Sequence, residues 1–367
     1  MSVNEIILWI MAIFLVLGAV DRIFGSRLGL GKQFEEGVLA MGALALSMLG
    51  ILVLAPVLAR LLKPVLVPVY GFLGADPAMF AGSILANDMG GAPLAVELAG
   101  SPEAARFGGL IVGAMLGATI VFTIPVALGI IQPEDRPALA RGVLAGVITI
   151  PLGALAGGLT AGFPILMLLR NLIPIVLFAA LIALGLWRFE GAMVKGFLWF
   201  GRIILAVITV GLAAAVFEHL TGVTLIPGLA SLEEGVGVVS EIAFVLAGAF
   251  PLVYALTKIF RKPLMKLGGL LGMNEVAAAG MVASLANSIP MFGMMKDMDQ
   301  RGKVLNVAFA VSAAFVFGDH LGFTAGFDAE MLVPVIVGKL VGGVCAVALA
   351  LLMTKPAPKA QAMMNDE

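Results

Sequence analysis

Charged residues are scarce in this chain, and several other residue types that define common protein classes are nearly absent. Asp, Glu, Lys and Arg make up 12% of the 367 residues, and the formal net charge is -1. This balance provides no basic surface for nucleic acid. The single cysteine, Cys345, excludes a disulfide within the chain, and with only two histidines, His219 and His320, no metal site is predicted.

Motifs for catalysis and for nucleotide hydrolysis are also missing from the sequence. It contains no G-x-x-x-x-G-K-[ST] phosphate loop, so the chain is predicted not to hydrolyse ATP itself. It also contains no H-E-x-x-H, no G-x-S-x-G and no dinucleotide-binding fingerprint. Neither an enzyme nor a bound cofactor is therefore indicated.

Apolar residues dominate instead, at 61% of the chain, which predicts an all-α integral membrane protein. A helix that crosses the hydrocarbon layer needs about 20 apolar residues. The runs that approach this length are Ile6–Val20, Val38–Ala59, Ala78–Leu98, Phe107–Ile131, Leu139–Gly162, Ile165–Leu186, Ile203–Phe217, Val236–Leu256, Val276–Met295, Val304–Phe327 and Met331–Met353. These eleven runs predict about eleven transmembrane helices. The third stays open as continuous or re-entrant, and Lys339 in the last is expected to snorkel or to face protein.

An internal repeat is predicted from residues that recur at a fixed spacing. At an offset of 165 positions, Ile124-Pro125 matches Ile289-Pro290, Arg136 matches Arg301, and Gly153 matches Gly318. Weaker matches extend over whole halves and pair each span with the span five further on. Because five is odd, two five-helix units would be inverted relative to each other, as in many secondary transporters. The predicted division is 1–163, 164–327, an extra C-terminal helix at 328–354 and a polar tail at 355–367. Chance recurrence of Gly, Ala, Leu and Pro is the alternative.

The first candidate site lies within the third run, in the sequence Asn87-Asp-Met-Gly-Gly-Ala-Pro93. Gly90, Gly91 and Pro93 free backbone carbonyls and allow a ligand to approach closely. A carboxylate there, Asp88, suits a small cation, with Asn87 beside it. The alternative is an interfacial loop in which Asp88 is solvated and caps the following helix.

The second candidate site is Asp319-His320 within the tenth run. Ser312 lies seven residues earlier, on roughly the same helical face, and Gly318 directly precedes the pair. Ionisable residues inside a membrane segment indicate a functional site by default. The alternative is a structural pair that bonds to neighbouring helices.

Polar residues before a proline form a third candidate. Asn287 and Ser288 precede Pro290, which removes one helical hydrogen bond and predicts a kink, and Pro125 occupies the matching position in the first half. The amide and the hydroxyl are predicted to face a ligand or, equally, to hold helices together.

Longer blocks of sequence resemble a known family. The blocks are Gln33-Phe-Glu-Glu-Gly37, Asp88-Met-Gly-Gly91, Ile124-Pro-Val-Ala-Leu-Gly129, Ala279-Gly-Met-Val-Ala283, Ile289-Pro-Met-Phe-Gly-Met-Met295, Arg301-Gly-Lys303 and Gly318-Asp-His-Leu-Gly-Phe323. They are similar to the bacterial ethanolamine permeases of ethanolamine-utilisation operons, the EutH family, over nearly the whole chain. The resemblance implies a multi-pass inner-membrane protein that admits ethanolamine. It implies no set of substrate residues, and Asn87 is in doubt as a required ligand because the family pattern has cysteine there.

Ethanolamine fits the candidate residues. Its amine is almost wholly protonated at neutral pH, so Asp88 and Asp319 would hold the ammonium group and Asn287, Ser288 or Ser312 the hydroxyl. Two inverted halves would rock around this cluster, by uniport or with a coupled cation. Alternatives are a transporter of another small amine or amino alcohol, a scaffold for ethanolamine-utilisation enzymes, and a membrane enzyme acting on lipid head groups. A homo-oligomer is left open.

Overall fold

Helices make up the fold of the computed structural model, which describes residues 2–354 and has no strand among them. The predicted polar tail, 355–367, lies outside the described residues. The helices are α1 (Val3–Ile23), α2 (Leu30–Phe72), α3 (Ala78–Ile84), α4 (Gly91–Leu98), α5 (Pro102–Ile130), α6 (Pro133–Thr160), α7 (Ile165–Arg188), α8 (Glu190–Thr221), α9 (Leu232–Leu270), α10 (Glu275–Ser284), α11 (Ser288–Met294), α12 (Gln300–Ala313), α13 (Asp319–Phe327) and α14 (Leu332–Met353).

Eight of these helices are long and apolar enough to cross a membrane within residues 2–354: α1, α2, α5, α6, α7, α8, α9 and α14. They coincide with eight of the eleven predicted spans. The third, ninth and tenth predicted spans are each divided into two shorter helices, α3 and α4, α10 and α11, and α12 and α13. The all-helical membrane class is therefore confirmed, whereas eleven continuous helices are not.

The third predicted span folds as a helical hairpin, the arrangement that its re-entrant alternative predicts. Gly90 has φ 91°, a left-handed conformation that favours glycine, and it ends the short turn Asn87–Met89 between α3 and α4. At the base of the hairpin the backbone N–H of Gly100 donates to Asp76 Oδ2 at 2.9 Å. Because Asp76 precedes α3 and Gly100 follows α4, the hairpin begins and ends at the same side of the bundle.

The ninth predicted span closes on itself in the same way. The backbone N–H of Asn274, before α10, donates to Asp299 Oδ1 at 2.8 Å, and the Asn274 side chain donates to the carbonyl of Asp297 at 3.0 Å. Asp297 and Asp299 both follow α11. The sequence was expected to give a single kinked span here. Because Asn274 contacts Asp297 and Asp299, this segment is also a hairpin, and its two ends lie at the same side of the bundle.

Hydrogen bonds between distant segments define two ends of the bundle, here called face A and face B. On face A, the side chain of Asn4 donates to the carbonyl of Glu330 at 2.7 Å, Asp328 pairs with Arg106 at 2.8 Å, and the N–H of Asp76 donates to Asn171 Oδ1 at 2.7 Å. The loop 222–231 also reaches this end. On face B, Lys303 pairs with the buried carboxylate of Asp135, close to the base of the second hairpin.

Small residues bring α6 and α14 together in the centre of the bundle. A Cβ added to Gly153 would lie 2.6 Å from the carbonyl oxygen of Gly338 and 2.9 Å from the Cα of Gly342, so only glycine fits. The hydroxyl of Thr149 donates to the carbonyl of Gly342 at 3.2 Å. Close backbone approach and a polar contact of this kind are typical of helix pairs in membranes.

Large apolar side chains cover the outside of the bundle. Trp9, Trp187 and Trp199 are 63%, 75% and 64% exposed, and many Leu, Ile and Val side chains on α1, α7 and α8 are exposed as well. A surface this apolar is suited to lipid and not to water.

Candidate functional site

A cavity of about 240 Å³ lies where the tip of the first hairpin meets α2, α5 and the start of α13. Its titratable lining residues, among those that the structure describes, are Asp88, Asp319 and His320, so the structure brings the first two predicted sites together. Within residues 2–354 the cavity is lined by Ala40, Ala43, Leu44, Ser47, Ala86, Asp88, Met89, Phe122, Leu246, Phe315, Asp319 and His320.

Asp88 enters the cavity from the turn at the tip of the first hairpin. Its side chain is 16% exposed, and its Oδ1 lies 3.8 Å from Nε2 of His320, whose side chain is 4% exposed. The turn is held by Gly91, whose N–H donates to the carbonyl of Ala86 at 2.8 Å. Asp88 is therefore not a solvated residue of an interfacial loop, which was the alternative for this site.

Asp319 and His320 reach the cavity because the chain breaks between α12 and α13. Within the break, Phe315 has φ 62°, a conformation that non-glycine residues rarely adopt. The N–H groups of Phe315 and Phe317 donate to the carbonyls of Ser284 and Leu285 at 3.0 and 2.9 Å, at the tip of the second hairpin. The second hairpin thus stabilises the break that brings Asp319 and His320 to the first hairpin.

Lys339 lies directly behind His320 and is 1% exposed. Its Nζ donates to the carbonyl of Ala114 at 2.5 Å and lies 3.0 Å from His320 Nδ1. Lys339 was predicted either to snorkel to the membrane surface or to face protein, and it faces protein. Because an ammonium group has only donors, a charged Lys339 donates to Nδ1 and leaves the imidazole proton on Nε2, towards Asp88.

Two phenylalanines form an aromatic wall of the cavity. The rings of Phe122 and Phe315 meet edge to face, with centroids 5.5 Å apart and an interplanar angle of 82°, and the Phe315 ring lies 5.2 Å from the imidazole of His320. Aromatic faces attract ammonium groups through the ring quadrupole. The combination of partly buried carboxylates with aromatic rings suits a small organic cation.

Comparison with known proteins identifies the family. The family described as "Ethanolamine utilisation protein, EutH" matches residues 3–353. The chain belongs to the EutH family. Relatives named "Probable ethanolamine permease EutH" are 62% identical over 371 residues in Listeria monocytogenes, covering all of both chains, and 51% identical over 405 residues in Salmonella typhimurium, covering 100% of this chain and 99% of the relative. A Bacillus subtilis relative, "Uncharacterized protein YxeR", is 52% identical over 361 residues, covering 98% and 97%.

These matches confirm the resemblance that the sequence blocks predicted. No solved structure matches this EutH-family chain.

The remaining predicted polar residues of the EutH-family chain do not line the cavity. Asn287 Oδ1 accepts the N–H of Ile289 at 2.8 Å and so caps α11. Asn87, Ser288 and Ser312 are all 0% exposed, and within the described residues their side-chain polar atoms have no hydrogen-bond partner. Their role in substrate binding stays a prediction.

The glycines and prolines predicted as hinges or kinks lie at breaks between helices in this EutH-family chain, with the exception of Pro125. Gly91 and Pro93 open α4, and Pro290 lies in the first turn of α11, whereas Pro125 is inside α5. A Cβ on Gly318 would collide with the carbonyl oxygen of Ala286, so only glycine fits beside the second hairpin. That these residues move during transport stays a prediction.

Sequence reasoning missed three components of the site. Phe122 and Phe315 lie inside apolar runs, where a ring that packs and a ring that lines a cavity look the same. Ser47 lies in a wide π-helical turn of α2, Ala45–Leu49, and such turns are frequent at functional sites but have no clear sequence signal.

Proposed function

We propose that this chain is an ethanolamine permease of the bacterial inner membrane. The observation that carries the proposal is the cavity in which Asp88 and Asp319 meet the aromatic wall of Phe122 and Phe315. The names of the relatives, probable ethanolamine permeases, supply the substrate class. Ethanolamine is a monovalent ammonium ion with one hydroxyl group, and the cavity offers partners for both.

The ammonium group is assigned to Asp88 and Asp319 and the hydroxyl group to Ser47 and His320. Ser47 donates to the carbonyl of Ala43 at 3.0 Å, which leaves its oxygen free to accept from the substrate hydroxyl. Charge-assisted hydrogen bonds to buried carboxylates are the stronger of these contacts.

Asn87, Asn287, Ser288 and Ser312 are proposed to contact substrate in other conformations of the cycle. Their burial without hydrogen-bond partners supports this for three of them, because a buried polar group without a partner costs about 1–3 kcal/mol.

We propose two inverted repeats in a register different from the one predicted. The first would comprise α1 to α6 and the second α8 to α14, with α7 as the connection. Several features support this division: each unit has one long helix, one re-entrant hairpin and two following spans. The long helices have related sequences near their starts, Phe34-Glu-Glu-Gly-Val38 and Leu232-Glu-Glu-Gly-Val236. The hairpin tips have identical sequences, Leu85-Ala-Asn87 and Leu285-Ala-Asn287.

Two ion pairs also support the inverted register. Arg106 at the start of α5 pairs with Asp328 just before α14, and Lys303 at the start of α12 pairs with Asp135 in the first turn of α6. Each pair joins the corresponding positions of the two units, one on face A and the other on face B. A two-fold axis in the membrane plane relates contacts in this way.

The re-entrant hairpins also give the proposal an orientation. Because neither hairpin crosses, the amino terminus and the loop 222–231 share face A. The basic residues near face A are Arg60, Lys63, Arg106 and Arg170, whereas those near face B include Arg22, Arg27, Lys32, Arg136, Arg141, Arg188, Lys195, Arg202, Lys258, Lys262, Lys266, Lys296 and Arg301. The positive-inside rule then puts face B in the cytoplasm and the amino terminus outside.

Transport is proposed to occur by alternating access between the two units, without a required coupling ion. An inside-negative potential of about 100 mV contributes roughly 2.3 kcal/mol per elementary charge. That corresponds to about fifty-fold accumulation of a monovalent cation, so a uniporter would suffice.

Uptake of radiolabelled ethanolamine into proteoliposomes tests the function. We expect uptake that saturates, that increases with an imposed inside-negative potential and that unlabelled ethanolamine inhibits. If another small amine or amino alcohol inhibited uptake more strongly, that compound would be the preferred substrate instead of ethanolamine. Folded protein that gives no uptake above empty liposomes would contradict transport and favour a scaffold.

Single-cysteine labelling in intact cells tests the orientation. In a Cys345→Ala background, Thr224→Cys lies in the loop 222–231 and Arg27→Cys in the loop between α1 and α2. We expect a membrane-impermeant thiol reagent to label only the first from outside. If the chain crossed the membrane eleven times, positions 27 and 224 would lie on the same side. Equal labelling of both would therefore contradict the proposal that two of the predicted spans are re-entrant hairpins. The homo-oligomer stays a prediction. The molecular mass of the purified protein in detergent tests it.

A further inference from the structure

Lys339 is the one buried cation next to the proposed substrate cavity within residues 2–354. It lies in the first half of α14, next to the close contact between α6 and α14, and its 1% exposure shows that the side chain does not reach the surface of the bundle. Its Nζ reaches across to the carbonyl of Ala114 in α5 and to Nδ1 of His320. His320 in turn faces Asp88. Lys339 therefore acts on the cavity without lining it.

The charges around the cavity do not cancel. Among the described residues, the titratable groups in and directly behind it are Asp88, Asp319, His320 and Lys339. A charged Lys339 at 3.0 Å from Nδ1 keeps the imidazole neutral, because two positive groups at that distance would repel. Two carboxylates and one ammonium then leave a single net negative charge for the ligand.

We propose that Lys339 is a specificity-determining residue that sets the charge of the site to match one monovalent ammonium ion. This inference rests on the proposed function of the same site. Without Lys339 the two carboxylates would carry two uncompensated negative charges, which favours a divalent organic cation. With it, a divalent cation leaves one positive charge unpaired in a buried site, which is costly. Specificity of this kind depends on a penalty against the wrong ligand.

A purely structural role for Lys339 makes a different prediction. If the ammonium only holds α14 against α5 through Ala114, its loss would lower stability and weaken all ligands alike. If it sets the charge, its loss would change the ratio of affinities for monovalent and divalent amines. That ratio is the readout of the test, and stability alone does not affect it.

The test uses the full-length chain in proteoliposomes, with ethanolamine and trimethylenediamine as competitors of labelled ethanolamine. At neutral pH both amines of trimethylenediamine carry a proton. The reference is His320→Gln, because an imidazole could otherwise take up the charge that Lys339 loses. The test variant adds Lys339→Met, which keeps an unbranched side chain only one heavy atom shorter and removes the charge. A third variant adds Asp88→Asn as well and restores one net negative charge.

We expect the Lys339→Met addition to shift the inhibition ratio towards trimethylenediamine by at least about ten-fold, equivalent to about 1.4 kcal/mol. The Asp88→Asn addition should return the ratio close to that of the reference. The matched control is Lys303→Met in the same background, since Lys303 is also a buried lysine paired with a carboxylate but lies away from the cavity. It should leave the ratio unchanged.

The outcomes separate this inference from the proposed function. A wild-type chain that neither transports nor binds ethanolamine contradicts the function. A wild-type chain that transports ethanolamine, combined with an unchanged ratio after Lys339→Met, overturns the role of Lys339. If that variant does not fold, Lys339→Gln in the same background takes its place, because it removes the charge but keeps an N–H donor for the carbonyl of Ala114. An unchanged ratio in Lys339→Gln would equally overturn the role of Lys339.

Discussion

Asp88→Asn is the most informative single substitution in the cavity. The amide has nearly the same shape as the carboxylate but cannot carry its charge. The Asp88 side chain is 16% exposed, and its Oδ1 lies 3.8 Å from His320 Nε2, which leaves the carboxylate able to bind the substrate ammonium. A hydrogen bond to a charged group contributes about 1.5–3 kcal/mol. We therefore expect ethanolamine binding to weaken by roughly ten- to hundred-fold.

The assay compares purified wild-type and variant proteins by binding of labelled ethanolamine and by uptake into proteoliposomes. The thermal unfolding midpoint should be unchanged or slightly higher, because the substitution removes a charge from a largely buried position. Asp297→Asn is the matched control, since Asp297 is an exposed aspartate at the base of the second hairpin. It should leave binding and uptake at wild-type values.

A specific result would refute the reasoning. If Asp88→Asn folds, inserts and binds ethanolamine with wild-type affinity, then the carboxylate at the hairpin tip does not hold the ammonium group. The same loss of affinity in Asp297→Asn would show that the effect is general and not a property of the cavity.

Three further predictions concern the aromatic wall, the first hairpin and the ion pair on face B. Phe122→Leu should weaken ethanolamine binding about three- to thirty-fold through loss of a cation–π contact; equal affinity in the same binding assay would remove the ring from the site. Gly82→Ala should lower the thermal unfolding midpoint strongly, because a Cβ there collides with the backbone of α5. The control, Gly293→Ala, has open space around it and should leave the midpoint unchanged. Similar midpoints for the two variants would contradict the packing. Lys303→Met leaves the Asp135 carboxylate buried and unpaired, so we expect the free energy of unfolding to fall by about 3–5 kcal/mol. Denaturant unfolding in detergent measures this loss. A smaller loss would mean that water reaches the ion pair.

The family and the membrane class could be predicted from the sequence because they depend on composition and on long blocks of residues. Apolar runs of sufficient length predict lipid burial wherever they occur, and eight of the eleven runs are indeed single long helices. The positions of the breaks were also visible in part, because Gly90, Pro290 and Gly318 interrupt helices for local reasons. Asp88, Asp319 and His320 were likewise conspicuous as ionisable groups in apolar surroundings.

Tertiary contacts decided the path of the chain. A run of about 20 apolar residues has the same hydropathy whether it crosses once or turns back as two half-helices. The difference depends on whether its ends meet, as Asp76 and Gly100 do, and nothing in the run itself records that contact. The register of the proposed repeat and the proposed orientation both depend on this point, because each re-entrant hairpin changes the number of crossings.

Tertiary structure also decided which polar residues share a cavity. Asp88 and Asp319 are far apart in sequence and meet only because the second hairpin holds the break before α13. Asn287 instead satisfies its own helix end, and Lys339 could equally have snorkelled until α5 and α6 enclosed it. The sequence alone thus determined that buried charges exist in a helical membrane protein, whereas the packing of distant segments determined which of them act together, because electrostatic contacts depend on distance in space and not along the chain.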